Sequence, residues 1–160
     1  VIAKVHGIAT AAGCQLVATC DLAIAEETTT FGVNGVNIGL FCSTPMVALS
    51  RNIPKKQAFE MLTTGEFITA ERAKTLGLIN RISNLENLDE QTEKFAETIA
   101  SKLGSAVKIG KEAFYKQLEM PIAQAYEYTG QVMTENMMLL QTEKGIEAFL
   151  NKLEPAWEQD

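Results

Sequence analysis

Short apolar runs open the chain, and amphipathic stretches of helical length take over near residue 40. Val1-Ile2-Ala3-Lys4-Val5 reads as a strand that closes on His6-Gly7. A turn of small residues follows, and residues 13–19 suit a short buried helix. Asp21-Leu22-Ala23-Ile24-Ala25 is a second strand, and the β-branched and aromatic run 28–31 is a third. Strand, helix, strand predicts a βαβ unit with a right-handed crossover. Beyond Thr44 the pattern turns helical over 45–53 and 55–63, with Pro54 marking the break. Thr69 is a good N-cap for a helix over 70–76, and Gly77 its C-cap. Residues 78–82 alternate like a strand. Helices over 88–103, 107–118, 121–140 and 143–153 complete the chain, with a break at Gly104-Ser105 and an end at Pro155. Tyr126, Met133, Met137 and Leu140 recur at one- or two-turn spacing, an apolar face that needs a partner surface.

Composition narrows the function classes. A chain of 160 residues with 46% hydrophobic and 21% charged residues is ordinary for a globular domain. Its net charge of −6 argues against nucleic acid or an anionic membrane as the main partner. No apolar run reaches the roughly 18 residues of a membrane span. Three cysteines in no metal spacing and a single histidine argue against a disulfide scaffold and a zinc site. They fit a reducing compartment, expected to be the cytoplasm, or the mitochondrial matrix if a transit peptide precedes the chain.

The candidate chemistry begins at Ile8-Ala9-Thr10-Ala11-Ala12-Gly13-Cys14-Gln15-Leu16. A small-residue turn into a helix presents N–H groups with no internal partner, and the helix dipole adds positive potential there. That arrangement suits a developing oxyanion. The same residues could instead simply pack helix against strand. Glu26 and Glu27, at the end of a strand, read as solvated. Asp21 reads as structural, His6 as a hydrogen-bonded supporting group, and Cys14 and Cys20 as core cysteines.

Four segments resemble one family. They are Val5 to Gln15 with Cys20-Asp21-Leu22-Ala23-Ile24-Ala25; Phe31 to Gly39; Thr64-Gly65-Glu66-Phe67-Ile68-Thr69-Ala70 with Ala73 and Gly77-Leu78-Ile79; and Gly145 to Lys152 with Pro155 and Trp157. The chain thus resembles the C-terminal portion of the crotonase superfamily, the enoyl-CoA hydratase/isomerase proteins, in their hydratase domain-containing branch. The resemblance implies an α/β fold, a ClpP/crotonase-type spiral of ββα turns over residues 1–80. A helical trimerisation region follows over 81–160, and the protein forms a homo-oligomer, a trimer or dimer of trimers. It also implies that the chain is a fragment whose upstream part supplies the other oxyanion N–H.

By the same resemblance the Ala12 N–H is an oxyanion donor, and Ala11, Gly13, Gly39, Cys42 and Ser43 line the acyl pocket. Phe149 and Lys152 would touch the nucleotide end of coenzyme A. The ligand is an acyl-CoA used in fatty acid metabolism, and no metal or separate cofactor is implied. The family's two catalytic glutamates fall on Gln15 and Gly35, and neither can act as a base. Each such group is worth about 10²–10⁴ in rate, so ordinary hydration or isomerisation, the lyase and isomerase reactions of the family, should be very weak. A non-catalytic acyl-CoA binder, and a thioesterase using the Cys42/Ser43 loop, are the alternatives. For the second, no adjacent base is visible to activate the nucleophile.

Overall fold

The computed structural model describes residues 1–157, so the last three positions of the expected helical region, 158–160, lie outside the described residues. The chain forms two compact units, residues 1–96 and the part from Glu97 onward.

The first unit opens with β1 (Ile2–Val5), β2 (Ile8–Thr10) and α1 (Ala12–Thr19), then β3 (Leu22–Glu26) and β4 (Thr30–Gly32). A 3₁₀ segment, Asn34–Ile38, leads to α2 (Ser43–Asn52) and α3 (Lys55–Thr64). After these come β5 (Ile68–Thr69), α4 (Ala70–Leu76), β6 (Arg81–Ser83) and the start of α5 (Leu88–Ala100). One sheet has the order β1-β3-β6 and is parallel throughout. The other has the order β2-β4-β5, parallel at β2–β4 and antiparallel at β4–β5. The strands β1 and β2, and again β3 and β4, are dealt to the two sheets in turn, and each pair is followed by a helical segment. This is the α/β spiral of ββα turns, as in the crotonase fold.

The central strand β3 is buried at Ala23, Ile24 and Ala25, as a strand with a parallel neighbour on each side must be. Phe31 in β4 is fully buried. Burying a side chain of that size contributes about 1.5–3 kcal/mol. Helix α1 packs on α2, and α2 on α3. The Asn52 amide joins the first pair, donating to the carbonyls of Ala18 and Ala48, each at 2.8 Å. Thr69 caps α4 by accepting from the Arg72 N–H at 3.2 Å, and Gly77 ends it in the left-handed conformation.

Several elements differ from the sequence reading. Residues 8–10 are a strand rather than part of the turn. Gly7, at φ +71°, redirects the chain into the second sheet, and three residues are too few to show a period. The third strand starts only at Thr30, because the Glu26 carboxylate captures the N–H and hydroxyl of Thr28 at 2.9 and 2.7 Å. Glu26 is therefore buried, not solvated. Leu78 and Ile79 are core residues, but the strand runs only over Arg81–Ser83, since Asn80 turns aside to clip both the N–H and the carbonyl of Ala23. Gly104 begins a helix rather than breaking one. Cys20 is half-buried at the C-cap of α1, where its N–H meets the carbonyls of Leu16 and Val17.

The second unit consists of α6 (Gly104–Gln117), α7 (Ile122–Met137) and α8 (Leu140–Leu150), with contacts α6–α7 and α7–α8. Trp157 lies against Gly145 of α8 so closely that a side chain there would begin 2.5 Å from the indole ring. Tyr126, Met133, Met137, Met138 and Leu140 are exposed. No helix among the described residues is long and apolar enough to cross a membrane.

Thr29 is wholly buried just before β4, and its hydroxyl has no partner among the described residues. An unsatisfied buried hydroxyl costs about 1–3 kcal/mol. Thr29→Val is therefore expected to leave stability unchanged or raise it by about 1 kcal/mol in urea unfolding; a clear loss would show that the hydroxyl is bonded.

Candidate active site

The turn that sequence reasoning singled out is held from both sides. Strand β2 ends at Thr10, paired with Gly32 of β4, and the Ala11 N–H donates to the Gly32 carbonyl at 2.9 Å. Ala11 then adopts φ 46°, ψ −113°, a conformation that favours glycine and costs an alanine on the order of 1–3 kcal/mol. The strain falls on Ala11, and Ala12 sits unstrained as the first residue of α1. Gln15 closes the first helical bond, its N–H to the Ala11 carbonyl at 3.0 Å. The N–H groups of Ala12 and Gly13 have no acceptor among the described residues, and both residues are exposed.

The second expected position lies beside this turn. The Thr10 hydroxyl donates to Asn34 Oδ1 at 2.6 Å, which ties β2 to the 3₁₀ segment that holds Gly35. A side chain at Gly35 would strike the Leu40 carbonyl and come within 2.9 Å of Cys42 Sγ. The Leu40 N–H bonds back to the Gly35 carbonyl at 2.9 Å, which closes this knot. Gly39 ends the segment at φ +79°. From the other side, Asn37 Nδ2 donates to the Gly65 carbonyl at 3.1 Å.

Gln15 is half-buried, and its amide bonds to none of the described residues. Cys14 is fully buried, and this burial pushes its thiol up to about 11 against the opposing pull of the Gly32 N–H. Cys42 is a buried packing residue, and the Ser43 hydroxyl turns back to the Phe41 carbonyl at 3.3 Å. Neither has an imidazole or carboxylate partner among the described residues. His6 is exposed and makes no hydrogen bond among them, contrary to expectation. It lies near Glu26, whose carboxyl is held below the ordinary carboxylate range by its bonds to Thr28, with His6 adding to the effect. The register places this pair at the Ile8↔Thr30 end of β2, opposite the turn.

One feature escaped the sequence reading. None of the 20 Asp and Glu residues falls within 1–20 or 28–59, the stretches that build the turn and the 3₁₀ segment. Nor can any group of His, Cys, Asp and Glu among the described residues hold a metal.

In the second unit, Phe149 is 80% exposed, not a core residue. Lys152 follows α8 at φ 57°, with its N–H on the Phe149 carbonyl at 3.1 Å and the Leu153 N–H on that of Ala148 at 2.9 Å. These bonds form a Schellman motif with lysine where glycine is usual.

Comparison with known proteins agrees with this architecture. The family model for enoyl-CoA hydratase/isomerase matches residues 1–160. Enoyl-CoA hydratase domain-containing protein 3, mitochondrial, of Rattus norvegicus is 49% identical over 157 residues, 98% of this chain and 52% of its own length. The Homo sapiens protein is 48% identical over 160 residues, 100% of this chain and 53% of its own. Among solved structures, an enoyl-CoA hydratase of Mycobacterium smegmatis superposes with a TM-score of 0.95 at 54% identity, covering 98% of this chain and 61% of that one. The human domain-containing protein 3 gives 0.93 at 50%, covering 98% and 62%. The chain spans about half the length of the curated relatives it matches.

Two outcomes follow. Gly35→Ala overpacks the knot and should cost about 1–3 kcal/mol in urea unfolding; an unchanged midpoint would mean the segment yields freely. Cys14 ionises at lower pH unfolded than folded, so its contribution to stability is complete below about pH 9, the ordinary thiol value, and is lost as pH rises toward 11. Thermal unfolding of the parent and Cys14→Ala across this range should show a decline in the parent that the variant lacks.

Proposed function

The chain belongs to the enoyl-CoA hydratase/isomerase family, and from that premise we propose that it binds acyl-CoA, with the thioester oxygen on the Ala12 N–H and without the family's carboxylate pair. The reading is carried by the Ala12 N–H, unpaired at a helix start and aimed by a strained neighbour. The helix dipole and the free N–H together favour negative charge on that oxygen. Ala11 and Gly13 leave room for the carbonyl, and Gly39, Cys42 and Ser43 belong to the loop beside the acyl group.

Phe149 and Lys152 are proposed to meet the nucleotide end of coenzyme A. An exposed ring and an adjacent cation suit adenine and phosphate. Homo-oligomerisation through the exposed apolar face of α7 is proposed on the same footing. The cytoplasm is the proposed compartment, with the mitochondrial matrix as the alternative that the mitochondrial mammalian relatives support.

A non-catalytic binder is the second reading, and the crowding at Gly35 favours it, since the missing carboxylate has no space to be restored. The thioesterase reading lacks support: Cys42 is buried and Ser43 is bonded to a carbonyl.

Calorimetric titration of the intact protein should show binding of saturated acyl-CoA that Gln15→Ala changes little. Loss of two acid/base groups should reduce crotonyl-CoA hydration by about 10⁴ or more relative to an ordinary hydratase. A rate within about tenfold of one would overturn the claim of a missing carboxylate pair.

A further inference from the structure

A cavity between α3 and α4 is left unused by the acyl-CoA reading. Its first wall is one stripe of α3. Gln57, Glu60, Met61 and Thr64 recur at the i, i+3, i+4, i+7 spacing that puts side chains on one helix face. Gly65, left-handed at φ +65°, ends α3 and turns the chain. Glu66, Phe67 and Ile68 after that turn form the second wall, and Arg72 of α4 completes the lining. The cavity measures about 210 Å³.

These walls are held in place by their own contacts. The Phe67 ring lies against Gly32, where a Cβ would come within 2.7 Å of it. Asn37 Nδ2 donates to the Gly65 carbonyl at 3.1 Å and fixes the turn. The Thr64 hydroxyl donates to the Glu60 carbonyl at 2.8 Å and accepts from the Glu66 N–H at 3.3 Å. Arg72 Nη2 donates to Gln57 Oε1 at 2.5 Å, which ties α4 to α3 and orients the guanidinium. Preset walls spare a ligand the cost of ordering them.

The charges on the walls are unmatched. No ion pair joins Arg72 to Glu60 or Glu66 among the described residues, and neither carboxylate has a partner among them. Arg72 keeps further guanidinium N–H groups beyond the one given to Gln57. A guanidinium fork takes a carboxylate, and carboxylates take an ammonium. Buried Met61, half-buried Ile68 and the Phe67 ring add apolar surface. The volume lies below the roughly 300 Å³ at which sites for drug-sized ligands begin, so the ligand is small. An α-amino acid carries an ammonium, a carboxylate and a side chain on a single carbon, and so matches all three kinds of surface.

We infer that this cavity binds a free apolar α-amino acid. Its carboxylate meets Arg72, its ammonium meets Glu60 and Glu66, and its side chain rests on Met61 and Phe67. Occupancy of this cavity does not require acyl-CoA binding at the turn.

Titration calorimetry of the intact protein with L-leucine should give one saturable site with a dissociation constant of about 10 mM or tighter. Two analogues separate the charges: 3-methylbutylamine lacks the carboxylate, and 4-methylpentanoate lacks the ammonium. Each should bind about tenfold or more weakly, because each leaves a wall charge unpaired. Arg72→Met should weaken L-leucine by about the same factor. Glu66→Gln keeps the side chain's shape and the Arg72–Gln57 bond. It should weaken L-leucine without weakening 4-methylpentanoate. The absence of saturable heat from L-leucine would overturn the inference. So would binding of either analogue as tight as that of L-leucine, or an L-leucine affinity unchanged in Glu66→Gln.

Discussion

Gly32 is the point on which the first unit turns. Its carbonyl receives the Ala11 N–H, its own N–H faces the Cys14 thiol, and its missing side chain admits the Phe67 ring, which would lie 2.7 Å from a Cβ. Three directions of packing thus meet at one residue, and only glycine satisfies all three. The first of these bonds ends the β2–β4 ladder and forces Ala11 into its strained conformation. That conformation in turn sets where α1 begins and which N–H groups remain unpaired. The chemistry offered by the turn depends on a glycine seventeen residues after Gln15 that bears no reactive group.

The two replaced glutamate positions differ physically. Gln15 keeps the length and shape of the acid it replaces and lies in open, half-buried surroundings. It exchanges a charge for a donor and leaves the backbone alone. Gly35 is part of a folded knot with Leu40, Cys42 and, through the neighbouring Asn34, Thr10. One position changes the electrostatics of the site, and the other changes its architecture. Together they leave a helix N-terminus with positive potential and no carboxylate on residues 1–20 and 28–59 around it.

The unit formed by α6–α8 follows simpler rules. Amphipathic periodicity makes the helices, Gly145 lets Trp157 rest on α8, and a left-handed Lys152 turns the chain out of its last helix. Phe149 is exposed, and a left-handed Lys152 follows three residues later, so neither side chain contributes much packing to the unit itself. Such a pattern is reasonable where recognition, rather than core formation, selects the residues.

Much of this was legible in the amino-acid sequence. Helix caps at Thr69 and Gly77, the proline break at Pro54 and the apolar run of β3 act through local chemistry, so local patterns reveal them. The turn at Ala11 to Gly13, and the absence of carboxylates at Gln15 and Gly35, follow from residue type alone. Strands of three residues, the capture of Thr28 by Glu26 and the knot at Gly35 were not legible, because each depends on partners brought together by sheet pairing. Residue identity determined that the site has no base of its own in these segments. Only the tertiary structure decided that Ala11 bears the strain, that Ala12 is left with a free N–H and that Gly35 has no room for a side chain. Those are consequences of contacts between residues distant in the chain, and no periodicity records them.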